Sequence, residues 1–314
     1  MTGTVIKSTG SWYTVKSEGK IVPCRLAGKI RLKGIKNTNP VSVGDVVDFD
    51  LEDEASENGV IKKIHDRENY IIRKSVNLAR QTQIIASNMD QAILVVTLAF
   101  PKTFPRFIDR FLVTAEAYSI PAVVVFNKVD LYDEALMDEL EFYEIVYKMA
   151  GYKVLVTSVE TGEGLDEVRA LLKDKTTLLS GHSGVGKSSL INTLDKNLDL
   201  KTSQISQSHE QGKHTTTFAE MFELSFGGNI IDTPGIRGFG LVDMEKEEIG
   251  DYFPEILEIK QHCKFNNCLH LNEPGCAVKQ AVEENKLVFT RYESYVQFVE
   301  GDEEENYRKD IYEE

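Results

Sequence analysis

The sequence predicts a multidomain α/β chain: an N-terminal closed β-barrel, a central α/β domain on a parallel sheet, and a C-terminal α-helical segment. Three observations predict this. Residues 1–72 alternate apolar and polar side chains in about five short runs with no helical period. Residues 73–243 set continuous apolar runs between amphipathic segments, as buried parallel strands with covering helices do. Residues 244–314 carry short helical runs interrupted by a knot of cysteine and histidine.

In the first region the expected strands are GTVIKS, WYTVKS, KIVPCRLAG, VSVGDVVDFDL and GVIKKIHD. In the second they are AILVVTLAF (92–100), AVVVFN (122–127), VLVTS (154–158) and TTLLSG (176–181). Between them PRFIDRFLVTAEAYS, DEALMDELEFYEIVYKMAG and GLDEVRALLKD read as helices. After residue 187 come a helix (KSSLINTLDK), a polar loop (199–217) and two more strands, AEMFELSF and GNIIDTPG.

Composition sets the class. The chain has 314 residues, 41% hydrophobic and 27% charged, which is ordinary for a globular protein of two or three domains. No run of about 18 apolar residues occurs, so no membrane span or membrane partner is expected. The N-terminus lacks an apolar signal region, so a cytoplasmic protein is expected. The net charge of −14 argues at first against nucleic acid, but the charge is polarised. Residues 1–44 hold eight basic side chains against Glu18, and residues 300–314 hold eight acids against Arg308 and Lys309.

Gly181-His182-Ser183-Gly184-Val185-Gly186-Lys187-Ser188 matches G-x-x-x-x-G-K-[ST], after an expected strand and opening an expected helix that continues with Ser189. Glycines let backbone N–H groups wrap phosphates at a helix N-terminus. Lys187 would reach the β- and γ-phosphates, and the Ser188 hydroxyl would ligate Mg²⁺. Asp232-Thr233-Pro234-Gly235 follows a buried strand; Asp232 could hold Mg²⁺ through water and the Gly235 N–H could meet the γ-phosphate. Alone, that tetrapeptide is equally a good turn. Asn127-Lys128-Val129-Asp130 ends another strand. Its Asp130 carboxylate could accept two hydrogen bonds from guanine, which adenine cannot supply. Asn127 would brace the phosphate loop, and the Lys128 stem would cover the base. Thr157-Ser158-Val159 would complete the base pocket with backbone N–H groups. Each motif sits at the C-terminal end of a parallel strand, where such sheets bind ligands.

Together these motifs resemble a GTPase of the Ras-like P-loop class, but in altered order. Asn127–Asp130 and Thr157–Val159 precede the P-loop, the threonine cluster 215–217 and Asp232–Gly235, which is a circular permutation. With the basic barrel before and the Cys/His knot behind, the chain resembles the ribosome small-subunit-dependent GTPase family known as RsgA or YjeQ. NLARQTQIIASNMDQ, FIDRFLVTAE, GHSGVGKSSLIN and GKHTTT are family-like, and Val159 stands where Ala is usual. The resemblance implies an OB-type barrel (1–72), a permuted GTPase domain (73–243) and a zinc-binding domain with an acidic tail (244–314). It also implies hydrolysis of GTP to GDP and phosphate, stimulated by the small (30S) ribosomal subunit, in late maturation of that subunit through 16S rRNA.

The residue after Gly235 is Ile236, which cannot orient a water as a glutamine would. His214, in Gly212–Thr217, is the candidate in its place, the bland alternative being a solvated loop residue. One of the adjacent threonines would complete the Mg²⁺ shell, Thr216 favoured over Thr215. Cys263-x₄-Cys268-x-His270-x₅-Cys276 offers a saturated Cys₃His set, which suits a structural Zn²⁺ with no open position. Cys24 reads as a small buried hydrophobe. In the barrel, Lys29, Arg31, Lys33 and Lys36 with Trp12 and Tyr13 are candidates for RNA contact. Nothing calls for an obligate dimer, so a monomer is expected. Two other readings stay open: a signalling GTPase with a protein activator, and an RNA-binding assembly factor in which GTP is a structural ligand with little turnover.

Overall fold

The computed structural model describes residues 1–28, 40–52, 57–74, 82–200, 219–232 and 244–301. The five expected N-terminal strands form: β1 (Thr2–Ser8), β2 (Tyr13–Ser17), β3 (Lys20–Leu26), β4 (Val46–Leu51) and β5 (Gly59–Ile64). They run in the order β1-β2-β3-β5-β4, and β4 pairs back onto β1, so the barrel closes. Among the described strands of the barrel, only β3 and β5 pair in parallel. Alternation puts Val5, Tyr13, Val15, Cys24, Val47, Phe49 and Ile61 inside. Tyr13 is therefore a core residue, only 2% exposed, and departs from the expectation of an RNA-facing ring.

A hairpin of β6 (Tyr70–Lys74) and β7 (Thr82–Ser87) follows, to which the sequence reading assigns no strands. The central sheet is built from β8 (Gln91–Val96), α1 (Pro105–Ala117), β9 (Ala122–Asn127), α2 (Glu134–Met149), β10 (Lys153–Thr157), α3 (Leu165–Leu172), β11 (Thr176–Ser180), α4 (Lys187–Leu194), β12 (Glu220–Glu223) and β13 (Asn229–Asp232). The strand order is β10-β9-β8-β11-β13-β12. The first five are parallel, as the apolar runs predict. β12 is antiparallel to β13, because a short connection from 224 to 228 leaves no room for a crossover. β8 is buried along its whole length, which is why its sequence is a continuous apolar run.

The barrel and central sheet are not separate. Lys7 of β1 pairs with Glu220 of β12, making one sheet of 11 strands. Between the barrel and the β6–β7 hairpin, Asp45, fully buried, accepts hydrogen bonds from Arg67 (2.6 and 2.7 Å), Ser87 (2.6 Å) and the Ser42 N–H (2.8 Å). At the other end α5 (Pro254–Lys260), α6 (Ala277–Glu283) and α7 (Phe289–Glu300) pack around Phe253, Ile256, Val278, Tyr295 and Phe298. Val113 of α1 belongs to that same core. Among the described residues, no helix is long and apolar enough to cross a membrane.

Candidate functional site: a phosphate loop and base pocket at the strand ends

Parallel strands deliver their C-terminal ends to one edge of the sheet, and three motifs meet there. The loop after β11 runs from Gly181 to Gly186, and Gly186 is the N-cap of α4. Its φ of +97° suits glycine, and a Cβ there would stand 2.5 Å from Asn127 Nδ2. That closeness has a cause. The buried Asn127 amide donates to the Val185 carbonyl at 2.9 Å, and its oxygen accepts from Thr157 Oγ1 at 2.9 Å. The expected brace between base motif and phosphate loop is thus visible as a hydrogen-bonded chain across β10, β9 and the loop.

Lys187 donates to the carbonyls of Gly181 (2.6 Å) and His182 (2.8 Å). Burial depresses its pKa, and the nearby Asp232 carboxylate opposes that. A half-buried ammonium resting on its own loop could exchange two carbonyls for anionic oxygens. Ser183 and Gly184 are exposed at the loop tip, as is Ser189 on the first turn of α4. Val185 is buried in the core beneath them. The His182 ring stacks on Phe107 of α1, with centroids 3.8 Å apart.

The base motif is equally constrained. Lys128 takes a left-handed conformation (φ +65°) and donates to the Phe100 carbonyl at 2.7 Å. Val129 is buried, whereas Asp130 is exposed and held by the Ser158 hydroxyl. Ser158 also accepts from the Thr161 N–H at 3.1 Å, so the carboxylate is presented in a fixed direction. The Ser158 N–H itself donates to the Glu163 carbonyl at 3.1 Å. Of the two N–H groups expected at the base, that of Ser158 is therefore already bonded within its own loop. Sequence reasoning missed Tyr132, which accepts from the Leu98 N–H (2.7 Å) and donates to the Asn127 carbonyl (3.1 Å). Burial pushes its hydroxyl up to about 12. It also missed Phe107, since neither residue stands in a motif. Asp232 ends β13 on the same edge. His214, Thr215, Thr216, Gly235 and Ile236 lie outside the described residues, as do Lys29, Arg31, Lys33, Lys36 and the tail beyond 301.

The second site is the C-terminal knot. Cys263, Cys268, His270 and Cys276 bring their ligand atoms within 4.8 Å of one another, and could hold a metal ion. Cys263 Sγ lies 3.6 Å from His270 Nδ1 and 4.0 Å from Cys276 Sγ, and Cys276 Sγ lies 3.4 Å from that nitrogen. His270 turns the chain with φ +57°, and Glu273 closes the loop by accepting from the N–H groups of Leu269, Leu271 and Asn272. Burial, with the neighbouring thiols, pushes the Cys268 thiol up to about 12, and burial depresses His270. His262 is not a member of the cluster. On the barrel, Trp12 is exposed with the Arg25 guanidinium 4.8 Å from its ring centre.

Comparison with known proteins agrees with this geometry. The RsgA GTPase family profile matches residues 64–242, and the RsgA N-terminal domain profile matches 2–61. The small ribosomal subunit biogenesis GTPase RsgA of Christiangramia forsetii is 60% identical over 314 residues, covering 99% of each chain. That of Flavobacterium psychrophilum is 58% identical over 314 residues, covering 99% of this chain and 96% of its own. Among solved structures, YjeQ from Thermotoga maritima superposes with a TM-score of 0.77 at 36% identity, over 95% of this chain and 96% of that one. YloQ, described as a circularly permuted GTPase, gives 0.71 at 32% identity over 100% and 96%. With base motif before phosphate loop in sequence but beside it in space, this chain belongs to the RsgA family of circularly permuted GTPases.

Proposed function

We propose that this chain hydrolyses GTP to GDP and phosphate in a cycle stimulated by the small (30S) ribosomal subunit, assisting late maturation of that subunit. The observation that supports the reading is the Asn127–Val185 bond, which holds the strand end leading to Asp130 against the loop before Lys187. The names of the relatives supply the ribosomal partner. In this reading Asp130 and Val159 hold the base, the loop 181–189 holds the phosphates, and Gly235 reads the γ-phosphate. Mg²⁺ bound with the nucleotide would be held by Ser188, Thr216 and Asp232, and would neutralise charge on the phosphate oxygens. His214 orients the attacking water, whose oxygen bonds the γ-phosphorus as the bond from that phosphorus to the β–γ bridging oxygen breaks; GDP leaves, and the water's proton passes to the released phosphate or to solvent.

The chain divides into 1–72, 73–243 and 244–314, the first binding 16S rRNA through Trp12, Arg25 and the basic stretch 29–36. The Cys₃His set holds one structural Zn²⁺. Bond lengths of about 2.3 Å to sulfur and 2.0–2.1 Å to nitrogen separate tetrahedral ligands by roughly 3.6–3.8 Å, close to the spacing present. The protein acts in the cytoplasm as a monomer. A second reading, an assembly factor with GTP as a structural ligand, is favoured by Ile236 in place of glutamine.

The test is phosphate release from GTP with and without purified small subunits, beside an ATP control and a His214→Ala variant. Stimulation by subunits that His214→Ala abolishes is expected. Tight GTP binding with no stimulated turnover would favour the second reading, and equal use of ATP would overturn the role of Asp130.

A further inference from the structure

We infer that the outer face of α2 is a docking surface for a basic protein segment on the small-subunit partner, an inference that rests on the ribosomal reading above. The helix already has a buried stripe. Leu140, Val146 and Tyr147 face the core, with Leu136 and Tyr143 packed beside them. A surface helix with one face so covered is expected to be polar on the other. Instead Phe142, Ile145 and Met149 are 44, 51 and 59% exposed. At 100° per residue these three positions fall within an arc of about 60°, so they form one ridge rather than three scattered side chains.

The ridge is bordered by acid. Asp138 lies within it, Glu134 and Glu141 line one side, and the helix as a whole carries five carboxylates against Lys148. This combination selects the occupant. An acidic surface repels the phosphates of RNA, which also offers few apolar groups to cover a phenylalanine and an isoleucine. A second copy packed α2 against α2 would bring the same carboxylates together, like facing like. A basic protein surface with apolar residues between its lysines and arginines satisfies both features. Its cations meet Glu134, Asp138 and Glu141, and its apolar side chains remove the ridge from water. The surface leaves the phosphate-loop side chains untouched, so the contact adds partner affinity without altering the nucleotide site.

The experiment uses the full chain, purified small ribosomal subunits and protein-free 16S rRNA. One variant carries Phe142→Gln, Ile145→Gln and Met149→Gln; another carries Glu134→Lys, Asp138→Lys and Glu141→Lys. Both are expected to bind intact subunits about tenfold or more weakly, the loss of one anchored contact. Both keep the wild-type affinity for GTP, and the glutamine variant keeps that for protein-free rRNA. Wild-type binding of intact subunits by both variants would overturn the surface alone. Parallel loss on intact subunits and bare rRNA by the glutamine variant, or tighter subunit binding by the lysine variant, would show an RNA contact instead. A wild-type dimer that the glutamine variant dissociates in sedimentation would show a second copy as the occupant. If the wild-type chain itself fails to bind subunits, the ribosomal reading falls and this surface with it.

Discussion

Asn127 joins the two halves of the nucleotide site with one buried amide, donating to Val185 and accepting from Thr157. Neither partner is near it in sequence. Asn127→Ala removes both bonds, taking the side-chain donor from the Val185 carbonyl and leaving the Thr157 hydroxyl with the Phe126 carbonyl at 3.3 Å, which costs about 1–3 kcal/mol. Guanine-nucleotide affinity is then expected to fall roughly ten- to a hundredfold by fluorescent-GDP titration; an unchanged affinity would dismiss the brace. Asp195 plays a structural counterpart after α4. It is 2% exposed and accepts from the Ser225 N–H and hydroxyl and from the Asn197 N–H. Burial works to raise its pKa, but these hydrogen bonds outweigh it and hold the carboxyl below its ordinary 3.8. The sign follows directly: the stabilisation is full above 3.8 and is lost as pH falls through the depressed native value. Asp195→Asn should therefore be less stable than wild type at neutral pH. The gap in urea-unfolding free energy should narrow only in strong acid.

At the scale of elements, α7 carries the joint between the C-terminal core and the GTPase sheet. Arg291 is 1% exposed, and bonds Asp109 of α1 at 2.6 Å and Glu255 of α5 at 2.6 and 3.2 Å. Its guanidinium also lies 4.6 Å from the centre of the Phe253 ring. Beside it and one turn on, Tyr292 and Tyr295 donate to the His270 and Leu269 carbonyls of the Cys/His knot. Burial raises the Asp109 carboxyl, and the Arg291 charge, with hydrogen bonds from Ser294 and Arg291, opposes this. Arg291→Met strands that carboxyl and is expected to cost about 3–5 kcal/mol in urea unfolding. Adding Asp109→Asn should recover part of the loss, and an additive double variant would contradict the coupling. The same helix makes the knot a stability element. A strong chelator is expected to lower the Tm of the full chain, with zinc appearing in the released fraction; no zinc and no shift would dismiss a structural metal.

At the scale of the molecule, the barrel is fastened to the GTPase sheet by backbone rather than by surface charge. Lys7–Glu220 and Lys16–Glu223 are exposed ion pairs of little weight. Gly44 is the tighter constraint: its φ is +93°, and a Cβ would stand 2.0 Å from the Ser87 carbonyl. Gly10 has a similar φ of +86° with nothing within 4 Å of such a Cβ. Gly44→Ala is expected to lower Tm clearly more than Gly10→Ala, the difference being the cost of parting the barrel from the β6–β7 hairpin. Equal shifts would mean that this contact tolerates separation.

The sequence by itself determined the strands of the barrel, the βα alternation, the motif order and the clustering of four cysteine and histidine side chains. Each is written in local period or spacing: apolar runs for buried strands, glycines before a lysine for the loop that opens α4, three thiols and an imidazole within fourteen residues for the knot. Tertiary structure alone decided the rest. The β6–β7 hairpin, the burial of Tyr13, the bracing by Tyr132 and Thr157, and the Arg291 triad all depend on partners distant in the chain. So does the fusion of barrel and sheet through β1 and β12. A side chain's pattern records which face it shows to the core; which neighbour waits there is set only when the chain closes on itself.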